Sequence, residues 1–183
     1  MNGSPAPAPA REAFAAAITQ APPGTLLAVL HLGAQRSSLA VGNDAAAPAL
    51  HEFALGLQSL AADHLRHVPP TPLELEEAIA TVEDAVMPLH RLLPPGATLV
   101  AALPSLIPLL DAGAGATPTL QHDITAVERA FDRLAAVSLG RPLSHDPAMA
   151  DPAVAAALLV LREVMHHLGF DEVRLLAEPQ TDR

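Results

Sequence analysis

Hydrophobic residues follow two patterns along the chain, short apolar runs and stripes at helical spacing. The runs Thr25–Gly33 and Ser37–Gly42 are separated by a short polar segment, which predicts a β-hairpin. The first run is apolar at nearly every position, so we expect a central strand that is buried on both faces. Two later runs, Ala97–Leu103 and Glu172–Leu176, predict further strands.

The clearest helical stripe lies between Asp151 and Phe170. Apolar residues recur there at spacings of three and four, which predicts an amphipathic helix: Val154, Leu158, Leu161, Met165 and Leu168. Asp151 is a good N-cap, Pro152 fits the first helical position and Gly169 fits a left-handed C-cap. Similar stripes predict helices over four other segments: 11–18, 57–67, 71–86 and 123–139.

The segment 49–56 supports two interpretations. Its loose alternation favours a third strand over Ala49–Ala54, followed by a helix from Leu57. A single helix from Leu50 to His67 is the alternative, although Gly56 would interrupt it.

The order of these elements predicts an α/β fold, a mixed β-sheet with a hairpin near the N-terminus and helices packed on it. We expect a disordered Pro/Ala tail over residues 1–10, a single α/β domain over 11–178, and a frayed C-terminal tail over 179–183.

Composition excludes several kinds of chemistry. The chain has no cysteine, so thiolate catalysis, disulfides and Cys-ligated metals are excluded. All ten basic residues are arginine, which removes Schiff-base lysines and the lysine of a P-loop. The net charge of −10 disfavours nucleic acid and anionic membranes as partners. With no long apolar segment and no signal peptide pattern, we expect a cytoplasmic protein.

Histidines and carboxylates cluster near the ends of two predicted helices. Glu163, His166 and His167 lie at spacings that place a carboxylate beside an imidazole on one helix face. Asp63, His64 and His67 form a similar group on another helix, so a divalent transition metal site is predicted if the two helix ends meet. We prefer the other interpretation, in which these histidines only stabilise the negative ends of their helices and cap their last carbonyl groups.

The hairpin VLHLGAQRSSLAVG, Val29–Gly42, resembles the first hairpin of actin-type sugar kinases and Hsp70-like ATPases. In those families a strand ends in Asp-x-Gly, a small polar turn meets phosphate, and a second strand follows. The resemblance implies phosphate at the turn. His31, however, stands where those families carry an acidic metal-binding residue.

No active-site motif stands out, and several helices carry broad apolar stripes. We therefore expect a non-catalytic interaction or accessory subunit without a cofactor, acting as a homo-oligomer or through a protein partner. The alternative is a metal-dependent enzyme with its site around Glu163, His166 and His167, so the sequence leaves open whether the protein is an enzyme.

Overall fold

The computed structural model describes residues 8–111 and 120–176, which are built around a six-stranded mixed sheet. In chain order the strands are β1 (Leu27–Leu32), β2 (Ser37–Gly42), β3 (Ala49–Phe53), β4 (Thr98–Ala101), β5 (Gln121–Asp123) and β6 (Glu172–Leu175). Their order across the sheet is β3-β2-β1-β4-β6-β5. β1, β4 and β6 run parallel, whereas β2, β3 and β5 join antiparallel. The predicted α/β fold, with its N-terminal hairpin and mixed sheet, is confirmed.

Among the described residues, six α-helices accompany the sheet: α1 (Ala8–Thr19), α2 (Leu57–His64), α3 (Pro72–Val86), α4 (Ile107–Leu110), α5 (Ile124–Ser138) and α6 (Pro152–Leu168). Short 3-10 turns cover Met87–Leu92, Pro104–Leu106, Leu143–His145 and Pro147–Ala150. The ambiguous segment is a strand followed by a helix, as preferred, because β3 ends at Phe53 and α2 begins after Gly56.

The sheet is covered on both faces, but unequally. The larger core contains alternate residues of the strands, such as Ala28 and Leu30 of β1, packed with residues of α3, α5 and α6. On the other face, Leu27 and Val29 pack with Phe14 of α1. This double burial explains why β1 is apolar at nearly every position.

α6 lies at the centre of the larger core. Its Asp151 side chain accepts a hydrogen bond from the Ala153 N–H, and Gly169 ends the helix at φ 74°, as the sequence predicts. Every residue from Ala155 to Leu161 is buried, so neighbours cover the first half of α6 on all sides. A buried charged residue, Glu163, follows in the second half.

The structure describes only a small part of the two expected tails. α1 begins at Ala8, three residues earlier than the predicted helix at Arg11. The rest of the expected N-terminal tail and all of the C-terminal one lie outside the described residues. Within 8–111 and 120–176, no helix combines the length and the apolar character that crossing a membrane requires.

The start of α3 is fixed by a capping box. The Thr71 side chain accepts from the Glu74 N–H, and the Thr71 N–H donates to Glu74 Oε2 at 2.9 Å. His67 Nδ1 lies 2.8 Å from Glu74 Oε1. The backbone hydrogen bond from Thr71, aided by His67 and opposed by burial, lowers the pKa of Glu74 from 4.5 to about 2.

We expect Glu74→Gln to destabilise the protein at pH 7 and to do so less as the solution is acidified. A carboxylate whose pKa is lowered by folding stabilises the native state above its unfolded pKa, and this contribution is lost as pH falls from about 4.5 to about 2. Urea unfolding at pH 7 and pH 3 measures the difference. Glu76→Gln, at an exposed position of the same helix, is the control and should show no such pH dependence. A constant Glu74→Gln effect across this range would contradict the prediction.

Candidate functional site

The carboxyl ends of the three parallel strands meet at one edge of the sheet. β1 continues there into the connection Gly33–Arg36, and β4 continues into the turn Pro104–Leu106. Ligands of open α/β sheets bind in the crevice outside these strand ends. The carboxyl edge is therefore a candidate ligand site.

The connection Gly33–Arg36 packs directly on the start of α2. The N–H groups of Leu57 and Gln58 donate to the carbonyl oxygens of Gly33 and Ala34 at 2.9 and 3.0 Å. A Cβ atom at Gly56 would lie 2.3 Å from the Ala34 carbonyl oxygen, so only glycine permits this approach. These N–H groups of α2 are consequently used by the connection and are not free to bind a ligand.

A row of polar side chains crosses the sheet at this edge. His31 pairs with Ser38 and Ser38 pairs with Glu52, so the three side chains share the face that α1 covers further along. Ser38 is buried, and its hydroxyl has no hydrogen-bond partner among the described residues. Burial lowers the pKa of His31, which keeps the imidazole neutral at pH 7.

One arginine stands beside this row. Arg36 Nη2 lies 3.8 Å from Glu52 Oε2, and the two side chains are 60% and 44% exposed. Such an exposed pair is weak, and it leaves the guanidinium able to turn toward an anion. The edge thus combines a neutral imidazole, a buried hydroxyl and an exposed, weakly paired guanidinium.

A second group of polar side chains lies where α3 and α6 pack together. Glu163 is only 2% exposed. Its Oε1 lies 2.5 Å from Arg162 Nη1, and its Oε2 lies 3.4 Å from His167 Nε2. His167 Nε2 also lies 3.1 Å from Glu83 Oε1 of α3.

Arg162 connects this group to α5. Its Nε donates to Glu128 at 3.1 Å, its guanidinium lies 4.5 Å from the centre of the Phe131 ring, and His166 also bonds Glu128. Burial acts to raise the pKa of Glu128, but the hydrogen bonds from His166 and Arg162 outweigh it and lower that pKa. Burial likewise acts to lower the pKa of Arg162, and its two carboxylate partners outweigh that effect and raise it.

The predicted metal ligands are only partly brought together. Glu163 and His167 converge, whereas His166 turns to Glu128. The second predicted group does not join them: Asp63 is exposed, His64 Nε2 lies 3.1 Å from Thr81 Oγ1, and His67 contacts Glu74. Within the part of the chain described, Glu83, Glu163 and His167 are the one set of three whose ligand atoms all lie within 4.8 Å of one another.

The sequence does not identify Glu83 as a candidate ligand, because no motif or spacing near it indicates metal binding. It is one of several carboxylates on α3, and only the packing of α3 against α6 brings it to His167. Arg36 was missed for a similar reason, since its position depends on the hairpin register.

The fold matches that of known phosphatases. The crystal structure of the Aquifex aeolicus Ppx/GppA phosphatase, type II variant, matches 92% of this chain with a TM-score of 0.72 and 14% identity. An exopolyphosphatase from Cytophaga hutchinsonii matches 92% with a TM-score of 0.67 and 15% identity. The chain covers 58% and 59% of the length of those two structures. No family model and no curated protein matches the sequence.

These matches show that the chain shares its α/β fold with those structures, and they correct the functional prediction. We expected a non-catalytic interaction or accessory subunit, chiefly because no active-site motif stood out. That prediction is wrong: the fold over nearly the whole chain is the one found in a Ppx/GppA phosphatase and in an exopolyphosphatase. The missing motif was weak evidence, because at 14–15% identity a fold persists while its local motifs change.

We expect Gly56→Ala to disrupt the connection after β1. The backbone at Gly56 has φ −129°, which alanine tolerates, so the cost comes from the contact with the Ala34 carbonyl. Overpacking against backbone costs about 1–3 kcal/mol. Urea unfolding measures it, with Gln58→Ala, at an exposed position in the first turn of the same helix, as the control. An equal effect of the two substitutions would show that the close approach is unimportant.

We expect Arg162→Met to destabilise the protein by about 3 kcal/mol, because it leaves the buried carboxylate of Glu163 without its closest cation. Arg36→Met breaks an exposed pair and should cost less than about 1 kcal/mol. Denaturant unfolding of both variants at pH 7 tests this, and similar losses in the two would contradict it.

Proposed function

We propose that this chain is a phosphatase-type domain that binds inorganic polyphosphate at the carboxyl edge of its sheet and hydrolyses the terminal phosphate. The observation that carries the proposal is the fold match over 92% of the chain to a Ppx/GppA phosphatase and to an exopolyphosphatase. The hairpin resemblance to phosphate-binding ATPases points to the same edge. The chain spans about three fifths of the length of those structures, so the activity of the whole proteins does not transfer to it directly. Binding and hydrolysis by this chain are therefore both part of the proposal.

Arg36 is the residue proposed to hold the phosphate chain. A guanidinium matches phosphate oxygens in charge and geometry, and only a weak exposed pair with Glu52 must be given up. The net charge of −10 repels a polyanion over the rest of the surface, which makes a single local cation more important.

His31 is the residue proposed to act as general base. Its position at the end of β1 is where the resembled families carry an acid, and the imidazole is neutral because burial lowers its pKa. A water oxygen attacks the terminal phosphorus, the bond from that phosphorus to the bridging oxygen breaks, and the water proton passes to the imidazole nitrogen. The shortened chain leaves with the bridging oxygen.

Binding and phosphate release from polyphosphate, measured with the full chain and added Mg²⁺, test this proposal. We expect Arg36→Gln to weaken binding by about tenfold, whereas Arg141→Gln, at an exposed arginine after α5, should leave it unchanged. If the chain neither binds polyphosphate nor releases phosphate, the proposal is wrong.

The role of His31 has its own test. We expect His31→Gln to lower phosphate release by about 100-fold or more without weakening binding, as loss of a general base does. Release by the wild type should fall below the lowered pKa of His31, because the protonated imidazole cannot accept a proton. His51→Gln, at a partly exposed histidine of β3, is the control. Unchanged release by His31→Gln would remove His31 from the site.

A further inference from the structure

Two carboxylates and one imidazole converge on a single point between α3 and α6. Glu83 comes from α3, and Glu163 and His167 come from adjacent turns of α6. We propose that these three side chains bind one divalent transition metal ion, with zinc the best fit, and that the ion ties α3 to α6. The site is separate from the carboxyl edge, and the proposal does not depend on phosphatase activity.

The distances suit a tetrahedral ion. Zinc binds imidazole nitrogen and carboxylate oxygen at about 2.0–2.2 Å, which places neighbouring ligand atoms about 3.3 Å apart. His167 Nε2 lies 3.1 Å from Glu83 Oε1 and 3.4 Å from Glu163 Oε2. All three ligand atoms lie within 4.8 Å of one another, and the Glu83 side chain is 41% exposed, so it can close the remaining gap by a rotamer change. Water would complete the coordination.

A proton shared between His167 and the two carboxylates explains these distances less well than a metal ion does. A protonated imidazole has one N–H at Nε2, which can bond one carboxylate well but not two. Charge-assisted hydrogen bonds of this kind are about 2.7–2.9 Å long, and both observed contacts are longer. A metal ion satisfies both carboxylates at these separations.

The surrounding charges favour a cation. Glu83, Glu163 and Glu128 bring three carboxylates to this region, and Arg162 brings one guanidinium. Arg162 occupies Glu163 Oε1 and leaves Oε2 directed to His167, so the buried carboxylate is already oriented as a ligand. The site also lies at the C-terminal end of α6, where the helix dipole favours positive charge.

Zinc binding to the untagged full chain, measured by isothermal titration calorimetry at pH 7.5, tests the proposal. We expect one saturable site per chain. His167→Ala and Glu83→Gln should each lower its affinity by about 100-fold or more, because each removes one of three protein ligands. His166→Ala is the matched control: it is the adjacent histidine on the same helix but contacts Glu128, and its affinity for zinc should equal that of the wild type.

Thermal unfolding with and without zinc gives a second measurement. A Tm increase that needs His167 distinguishes a metal ligand from a residue that only supports the fold. Zinc at about 100 times the wild-type Kd should raise the Tm of the wild type and of His166→Ala by about 5 °C, and it should raise that of His167→Ala by about 1 °C or less. Cobalt should give the intense visible absorption of a tetrahedral site in the same two proteins.

Three outcomes would overturn the proposal. The first is that the wild type takes up no stoichiometric zinc. The second is that His166→Ala loses binding as fully as His167→Ala. The third is that Glu83→Gln keeps the wild-type affinity while circular dichroism shows that it is folded. Glu83 is half-exposed, so its substitution separates loss of a ligand from loss of the fold. Failure here leaves the polyphosphate assays of the carboxyl edge unaffected.

Discussion

The parallel pairing of β1, β4 and β6 is the constraint on which the rest of the structure depends. Parallel neighbours cannot be joined by a tight turn, so the chain must cross the sheet between them. The crossing from the hairpin to β4 contains α2 and α3, and the crossing from β4 to β6 contains α5 and α6. Both crossings bury their apolar stripes in the larger core, and the three strand ends are left together at one edge.

The same packing explains why α6 makes both extensive apolar contacts and several charged ones. Its first half is buried on all sides, and its last two turns emerge between α3 and α5. A carboxylate at Glu163 is costly in such a position unless it is paired. Arg162, held in turn by Glu128 and Phe131, supplies that pairing, so the charged network depends on three helices packing correctly.

Local chemistry made much of the fold predictable. Asp151, Pro152 and Gly169 mark the ends of α6, and the apolar run of β1 indicates double burial before any contact is known. Other features have no local signature. β5 has three residues and exists only because β6 offers it an edge, and Glu83 meets His167 only through the packing of α3 on α6. The predicted ligands Asp63 and His166 show the same limit, since helical spacing gives the face of one helix but not its neighbour.

The connection after β1 shows why the absence of a recognisable motif is weak evidence about function. The connection after β1 has a short turn, a glycine at Gly33 and a close contact with Gly56 before α2. Its side chains differ from those of the resembled families, because His31 replaces an acid. Backbone geometry is set by many packed residues, whereas a single side chain can change without altering the fold. A search of the sequence for side-chain motifs can therefore find nothing where a comparison of folds still finds a match. At the site proposed for this edge, the identity of residue 31 determines the available chemistry: a neutral imidazole can accept a proton from water at neutral pH without the fixed charge of a carboxylate.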